Sequence, residues 1–255
     1  MKIGLMGDTH ANREPWDRAA TIAVKQGWNA IIQLGDFGLF RGYEHYLDHV
    51  ARTAEGLDVP VYFIDGNHDD HTLLQDWGLF DATEPGSLPE PWEWITYLPR
   101  GCAWTWNGVR FGSMGGAGSI DREWRIRMEH RGAPKMWWKT ETITETQRDF
   151  AKTNLARAGC DVLICHDAPS LAIPGLEVLK ETKSLGMLRV SRDCLCDVIR
   201  AATPPLVIHG HMHHYYETHL TVGSHACRVV GFDCDNQPKA IGELTLSDSH
   251  AWISG

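Results

Sequence analysis

The first third of the chain alternates short apolar runs with longer amphipathic segments. The apolar runs Lys2–Met6, Ala30–Leu34 and Val61–Ile64 predict three strands. Between them, Pro15–Gln26 and Tyr43–Leu57 repeat apolar residues at the spacing of a helix face. Strands that alternate with helices indicate a parallel sheet with right-handed crossover connections.

The middle of the chain has a different pattern, with short strand-like runs among Pro, Gly and Trp. Strands are predicted at Tyr97–Leu98, Ala103–Trp106 and Val109–Met114. The last two flank the turn Asn107-Gly108, which is a strong hairpin signal. The glycine-rich segment 115–118 is expected to be a flexible loop.

The last hundred residues combine helical and strand-like patterns. Helices are predicted at Thr144–Ala158, with a threonine cap, and at Arg192–Ala202. The apolar runs Asp161–Cys165 and Leu206–Ile208 predict two more buried strands. The tail, residues 215–246, alternates as strands do and is expected to form a meander.

Composition narrows the class of protein. The chain has 255 residues, 43% of them hydrophobic, and it shows no clear linker, so residues 1–255 are expected to form one domain. Its net charge of −9 argues against broad nucleic-acid binding, although bound cations can still attract an anionic substrate. The seven cysteines form no disulfide or zinc-ribbon pattern, so a cytoplasmic protein with reduced thiols is expected. No apolar run is long enough for a membrane span.

Metal-ligand residue types follow five of the strand-like runs, in the stretches GDTH, GD, GNHD, CHD and HGHMH. They supply carboxylates, one carboxamide and several imidazoles: Asp8, His10, Asp36, Asn67, His68, His166, His211 and His213. The carboxyl ends of parallel strands form the ligand-binding edge of an open sheet, so these side chains are expected to meet there. Oxygen and nitrogen ligands without cysteine favour Mn²⁺, Fe, Zn²⁺ or Co²⁺ over Ca²⁺.

The spacing within the stretches suits a pair of cations. Residues i and i+2 of an extended segment face the same side, so Asp8 and His10 can reach one ion, and the Asp36 carboxylate can bridge two. Two ions roughly 3.5–4 Å apart would hold a bridging hydroxide and clamp a phosphoryl group. His68, beside Asn67, is then left to protonate the leaving group. Each motif alone is more often an ordinary turn or loop, and only their joint order favours a two-metal hydrolase.

The order D-x-H, GD, GNHD, H, GHxH resembles the calcineurin-like metallophosphoesterase superfamily over residues 3 to 213. The resemblance implies an α/β protein, a four-layer α/β/β/α sandwich of two mixed β-sheets flanked by helices, with the hairpin region and the tail completing the second sheet. It implies two divalent cations, the first held by Asp8, His10 and His213, the second by Asn67, His166 and His211, with Asp36 bridging them. His68 matches the family's non-ligand histidine beside the transferred phosphoryl group.

Two features between the third and fourth motifs bear on the substrate. Seven of the eleven tryptophans lie between residues 92 and 138, where they form either a stacking platform for a nucleobase or, as we favour, packed strand faces. Beside the glycine-rich loop, Ser119, Arg122 and Arg125, together with the distant Arg192, are candidates to contact phosphate oxygens. Arginines of this kind are more often solvated.

The leading hypothesis is a metal-dependent phosphodiesterase, with Mn²⁺ favoured, acting on cyclic nucleotides or other small phosphodiesters. A phosphomonoesterase, including a phosphoprotein or dinucleoside-polyphosphate phosphatase, shares the motifs and remains open. A DNA-repair nuclease is disfavoured because residues 214–255 are short and not basic. A catalytically inactive metal-binding scaffold is the alternative from another class. The sequence does not indicate the oligomeric state.

Overall fold

The computed structural model describes residues 1–172, 183–247 and 250–254. Two mixed β-sheets lie face to face, and helices cover the outer face of each sheet. The expected four-layer α/β/β/α sandwich is therefore confirmed. Among the described residues, no helix combines the length and the apolar character that crossing a membrane requires.

The described part of the chain contains thirteen strands and six α-helices. The strands are β1 (Lys2–Met6), β2 (Ala30–Gln33), β3 (Val61–Phe63), β4 (Gly86–Ser87), β5 (Ile95–Tyr97), β6 (Ala103–Trp106), β7 (Val109–Met114), β8 (Val162–Cys165), β9 (Leu206–His209), β10 (Tyr216–Val222), β11 (His225–Gly231), β12 (Ile241–Ser247) and β13 (His250–Ser254). The helices are α1 (Glu14–Gln26), α2 (Glu44–Leu57), α3 (His71–Asp76), α4 (Arg122–Glu129), α5 (Glu145–Ala158) and α6 (Lys183–Ala202). Short 3-10 helices span Lys139–Glu141 and Ser170–Ala172.

Each sheet has a parallel centre and antiparallel edges. The first sheet has the order β13-β12-β1-β2-β3-β5-β4, in which β1, β2, β3 and β5 are parallel. The second has the order β10-β11-β9-β8-β7-β6, in which β11, β9, β8 and β7 are parallel. Both parallel centres end at loops that carry the five motif stretches, so the topology brings motifs from two sheets to one rim.

Three apolar clusters hold the layers together. Between the sheets, Leu5 and Ile32 of the first sheet belong to one buried cluster with Phe111 and Ile164 of the second. A second cluster joins the outer face of the first sheet to α1 and α2, and a third joins the second sheet to α5 and α6. Because a fully buried large apolar side chain contributes about 1.5–3 kcal/mol, these clusters fix the sheets as a rigid platform for the rim.

Several predicted elements match the structure closely. The bounds of β1, β6 and β7 are those expected from the apolar pattern. Helix α5 begins directly after Thr144, whose hydroxyl accepts a hydrogen bond from the backbone N–H of Gln147. The Gln147 side chain in turn accepts from the Thr144 N–H, which completes a capping box.

The expected meander at the tail is wrong, and so is its assignment to the second sheet alone. The hairpin β10–β11 joins the second sheet, but β12 and β13 join the first. Strand β12 pairs antiparallel with β1, from Lys2 opposite Thr245 to Met6 opposite Ile241. Alternation shows that a segment is a strand, but it does not show which sheet edge the strand will cover.

Two further expectations need correction. The loop 115–118 is not a flexible loop but is buried, and the Gly116 N–H donates to the Asp65 carbonyl at 2.8 Å. Gly115 approaches Asp65 so closely that a Cβ atom would collide with its carboxylate. Helix α6 begins at Lys183 rather than at Arg192.

Candidate metal centre

The loops that follow the parallel strands of both sheets bring the eight predicted residues to one rim. Two sets of ligand atoms lie within 4.8 Å of one another: Asp8, His10, Asp36 and His213 in one set, and Asp36, His166 and His211 in the other. Asp36 belongs to both sets. Three or more oxygen and nitrogen atoms at such separations have the composition of a first-row divalent metal site.

Asp36 lies at the centre of the rim. Its Oδ1 accepts a hydrogen bond from the His68 backbone N–H at 2.7 Å and lies 3.3 Å from His166 Nε2. Its Oδ2 is buried, accepts no hydrogen bond within the described structure, and lies 3.5 Å from His10 Nε2. A buried carboxylate oxygen without a hydrogen bond is costly, so a bound cation would stabilise this atom.

The first set is arranged around Asp8. The Asp8 Oδ1 accepts from the His211 backbone N–H at 2.9 Å, and its Oδ2 lies 2.9 Å from His213 Nε2. The rings of His10 and His213 meet edge to face with their centres 5.1 Å apart. Behind His10, Asp235 Oδ1 lies 3.6 Å from Nδ1, so a carboxylate faces the ring nitrogen that points away from Asp36.

The second set is arranged around His166, which is completely buried. The Nδ1–H of His166 donates to the Leu34 carbonyl at 2.8 Å, which leaves Nε2 as the nitrogen that faces the rim. This Nε2 lies 3.2 Å from Asn67 Oδ1, and the His211 ring lies 4.9 Å from the His166 ring. The Leu34 carbonyl thus fixes the ring in the orientation that a metal ligand needs.

A chain of hydrogen bonds orients the Asn67 carboxamide. The Asn67 Nδ2 donates to Ser119 Oγ at 3.1 Å, and Ser119 Oγ donates to Glu141 Oε2 at 2.6 Å. The Ser119 backbone N–H donates to the other Glu141 oxygen at 2.9 Å. Because the amide nitrogen is held on this side, the Asn67 Oδ1 is directed to the rim as an uncharged oxygen.

The carboxylates draw positive charge to the rim. Burial lowers the pKa of the His166 imidazole, but the nearby Asp36 carboxylate outweighs it and raises the pKa to about 10. In the same way, Asp36 and Asp8 overcome burial and raise the pKa of His10 to about 9. At His211, burial and the charge of His166 outweigh the effect of the carboxylates and lower the pKa of the ring to about 3. Divalent cations would compete with protons for the first two rings.

His68 lies beside the rim, and its ring packs edge to face with His10 at 5.3 Å between centres. Burial lowers the pKa of His68, and the neighbouring Arg125 guanidinium adds to this effect. Arg125 comes from α4, is 2% exposed, and contacts His68 Nε2 through one of its terminal nitrogens. The sequence suggests Arg125 as a phosphate contact, but in the structure it binds the predicted catalytic histidine.

The other three candidate phosphate contacts occupy different environments. Ser119 is buried, with its hydroxyl held between Asn67 and Glu141. Arg192 is also buried, and its Nε donates to Asp167 Oδ1 at 2.9 Å, behind His211. Arg122 places its guanidinium carbon 4.4 Å from the centre of the Trp137 ring. The hydroxyl of Ser119 and the Nε of Arg192 are thus already used within the protein.

The tryptophans of segment 92–138 mainly serve packing. Trp104 stacks on Phe111 with centres 5.2 Å apart, and Trp106 meets Tyr62 at 4.8 Å. Trp138 is 4% exposed. Trp124 on α4 differs, because 47% of it is exposed. It is the most exposed of the seven tryptophans of this segment.

The backbone of the rim adopts left-handed conformations at residues that are not glycine. The φ angle is 47° at His10, 53° at Asp36, 63° at His211 and 48° at His213. Such conformations cost about 1–3 kcal/mol each and cluster at functional sites. The backbone is also crowded at Gly66, before Asn67, because a Cβ atom there would collide with the Asp36 carboxylate.

Sequence reasoning did not find two carboxylates that support the rim. Asp235 lies in the turn after β11, where its N–H donates to the Asp8 carbonyl at 2.6 Å. Glu141 lies in a 3-10 helix far from any motif, and burial raises its pKa. The only sequence signal was an isolated acidic residue in each case, which is far too common to be informative.

Comparisons with known proteins agree with this geometry. The family model described as calcineurin-like phosphoesterase matches residues 1–215, which include the whole rim except Asp235. No curated protein matches the chain. Among solved structures, one crystal structure is 12% identical with a TM-score of 0.55, covering 99% of this chain and 98% of its own. The protein TT1561 of Thermus thermophilus is 14% identical with a TM-score of 0.53, covering 99% and 97%.

A third solved structure, of a novel archaeal phosphodiesterase, is 14% identical with a TM-score of 0.42, covering 100% of this chain and 99% of its own. The first two likenesses show the shared fold, and their low identity shows no more than that. The family match extends over most of the chain and includes all five motif stretches. The chain therefore belongs to the calcineurin-like phosphoesterase family.

Proposed function

We propose that this protein is a phosphodiesterase that uses two divalent cations, Mn²⁺ in the first place, to hydrolyse small phosphodiesters such as cyclic nucleotides. The observation that carries the proposal is the pair of ligand sets that share Asp36. Two adjacent sites with a common carboxylate are what a dinuclear centre requires. The first cation is assigned to Asp8, His10 and His213 and the second to Asn67, His166 and His211, with Asp36 common to both.

The residues present fit such cations on three grounds. The Asp36 Oδ2 is buried without a hydrogen bond, so it has an unused lone pair inside the protein. The His166 ring is held by the Leu34 carbonyl with Nε2 turned to the rim. The donor set mixes oxygen and imidazole nitrogen without thiolate, which suits Mn²⁺, Fe, Zn²⁺ or Co²⁺ better than Ca²⁺.

Two bound cations would neutralise charge on the phosphoryl group and activate water for attack. The protein's own residues do the remaining work. The Ser119–Glu141 pair keeps the Asn67 oxygen directed to the rim. His68, outside both ligand sets, is placed to supply a hydrogen bond or a proton to the leaving oxygen. Catalytic roles are proposed for His68 and Asp36.

A nucleotide is the proposed substrate class because two exposed side chains are sequence neighbours of residues that contact the rim. Ile120 and Trp124 are 70% and 47% exposed. In the sequence, Ile120 directly follows Ser119 and Trp124 directly precedes Arg125. Ser119 contacts Asn67 and Arg125 contacts His68. An exposed indole beside a phosphoryl site offers a surface on which a base can stack.

The test is a substrate panel after treatment with EDTA and reconstitution with Mn²⁺. The panel contains bis(p-nitrophenyl) phosphate, p-nitrophenyl phosphate, and 2′,3′- and 3′,5′-cyclic nucleotides. We expect Mn²⁺-dependent turnover that is faster on diesters than on the monoester. Faster monoester turnover would identify a phosphomonoesterase instead, and no turnover of any ester would refute the proposed activity.

Variants connect the activity to the rim. His68→Ala should lower kcat by about 10²–10⁴-fold, the usual contribution of a general acid, while Mn²⁺ binding persists. Asp36→Asn should abolish both, since Asp36 belongs to both ligand sets. His219→Ala is the matched control, because His219 is exposed on β10 and should leave the rate unchanged.

A further inference from the structure

We propose that Arg125 is a positioning residue that holds His68 with its proton on Nδ1, so that Nδ1 is the nitrogen His68 offers to the phosphoester. The contact that leads to this assignment joins a terminal nitrogen of Arg125 to His68 Nε2. Where it concerns turnover, this role rests on the proposed phosphoesterase activity. The assignment of the His68 tautomer does not depend on that activity and can be tested on the protein itself.

The direction of the hydrogen bond follows from the chemistry of the two groups. The guanidinium of arginine stays protonated in proteins, carries five N–H donors and has no acceptor. In a contact between Arg125 and His68 Nε2, the arginine must therefore donate and Nε2 must accept. A neutral imidazole whose Nε2 accepts carries its proton on Nδ1.

Arg125 is held firmly enough to impose this choice. Its Nε lies 2.8 Å from Asp121 Oδ1, one helical turn earlier. Its Nη1 donates to the Asn67 carbonyl at 3.2 Å and to the Met136 carbonyl at 3.3 Å. The side chain is 3% exposed, so water competes little for these donors. A group with three other partners is fixed before substrate arrives.

The opposite side of His68 is arranged to use the Nδ1 proton. The His68 backbone N–H donates to Asp36 Oδ1 at 2.7 Å, which fixes the start of the side chain beside the shared carboxylate. Within the described residues, Nδ1 makes no hydrogen bond to the protein. The nitrogen that carries the proton is thus the one left for a ligand.

The first test reads the tautomer directly. Imidazole ¹⁵N–¹H correlation spectra of the EDTA-treated protein at about pH 8.5 should show His68 protonated on Nδ1, with its signals assigned by their loss in His68→Ala. Arg125→Met should remove this preference, and Arg125→Lys, which retains a cationic donor, should retain part of it. An Nε2–H tautomer in the wild type, or an unchanged tautomer in Arg125→Met, would overturn the assignment.

The second test separates action through His68 from direct contact with substrate. At saturating Mn²⁺, Arg125→Met should lower kcat by about 10²-fold with little change in KM, and Arg125→Lys should recover part of the loss. In a His68→Ala background, Arg125→Met should have almost no further effect. An equal loss in both backgrounds, or an effect on KM alone, would contradict the positioning role.

A matched control and the wild type keep the outcomes distinct. Arg127→Met removes an exposed arginine from the same helix and should change neither tautomer nor kcat. If the wild type turns over no ester, the proposed activity fails while the spectra still decide the tautomer. If Arg125→Met does not fold, the wild-type spectrum and Arg125→Lys supply the decision.

Discussion

Lowering the pH from 7 to 5 should destabilise the protein through His71, at the start of α3. This ring is completely buried. Its Nε2 lies 2.9 Å from the Gly66 carbonyl and its Nδ1 lies 3.0 Å from Thr140 Oγ1. A neutral ring with its proton on Nε2 satisfies both partners. Burial lowers the pKa of His71 from 6.5 to about 4, even though the Asp65 carboxylate acts in the opposite direction.

The sign and size of the effect follow from this pKa difference. Because the folded pKa is lower than the unfolded one, the unfolded chain takes up a proton first as the pH falls. The contribution of the neutral His71 ring to the free energy of unfolding is fully present above about pH 6.5 and is lost progressively toward about pH 4. The difference corresponds to about 3 kcal/mol in full and about 2 kcal/mol between pH 7 and pH 5.

Urea unfolding at pH 7 and pH 5, in EDTA, measures this loss. His71→Gln retains a donor and an acceptor but does not titrate, so its loss of stability should be smaller than the wild type's by about 2 kcal/mol. His219→Gln, at an exposed position, should lose as much as the wild type. If His71→Gln and the wild type lose the same amount, the buried neutral ring is not the cause.

Three further predictions concern the rim and its support. Gly66→Ala should lower both stability and Mn²⁺ content, because its Cβ atom would meet the Asp36 carboxylate; Gly56→Ala, in open space within α2, should instead raise stability by about 0.5–1 kcal/mol in urea unfolding. Arg100→Met should cost about 3–5 kcal/mol in the same assay, since it leaves a buried carboxylate without its guanidinium partner. Ser119→Ala should weaken Mn²⁺ binding about 10-fold or more by calorimetry, because it releases the carboxamide it holds; unchanged affinity would refute that support.

The sequence predicted the parallel strands β1, β2 and β3 and the buried strands β8 and β9, because each is a short apolar run. It did not predict that β5 and β11 would extend the two parallel centres. It failed at α4, whose residues are mainly charged and whose buried position is an arginine, Arg125. A helix without an apolar stripe gives no periodic signal. It also failed to place β12 and β13, since the choice between two sheet edges depends on which edge is left uncovered by the rest of the fold.

In the candidate site too, the sequence predicted one group of residues, the ligands, and missed another, the residues that support them. Every residue assigned as a ligand lies within four residues after the end of a strand, so chain order and sheet topology were enough to bring the set together. The residues around them come from elsewhere: Glu141 from a 3-10 helix, Asp235 from a turn and Arg125 from α4. Their contacts depend on side-chain packing between distant segments, and one sequence carries no signal of such pairs. For the same reason, Ser119 and Arg192 could be noticed as polar residues but not assigned to their partners.

The left-handed backbone at His10, Asp36, His211 and His213 has a practical consequence for anyone who engineers this protein. Replacing one of these residues by glycine, which adopts positive φ freely, relaxes the chain while it removes a candidate ligand. A screen of a random library for heat resistance, without added metal, should therefore enrich inactive variants that carry glycine at one of these four positions. A selection that requires turnover should retain the native residues there and find its stabilising changes in the helices and sheets behind them.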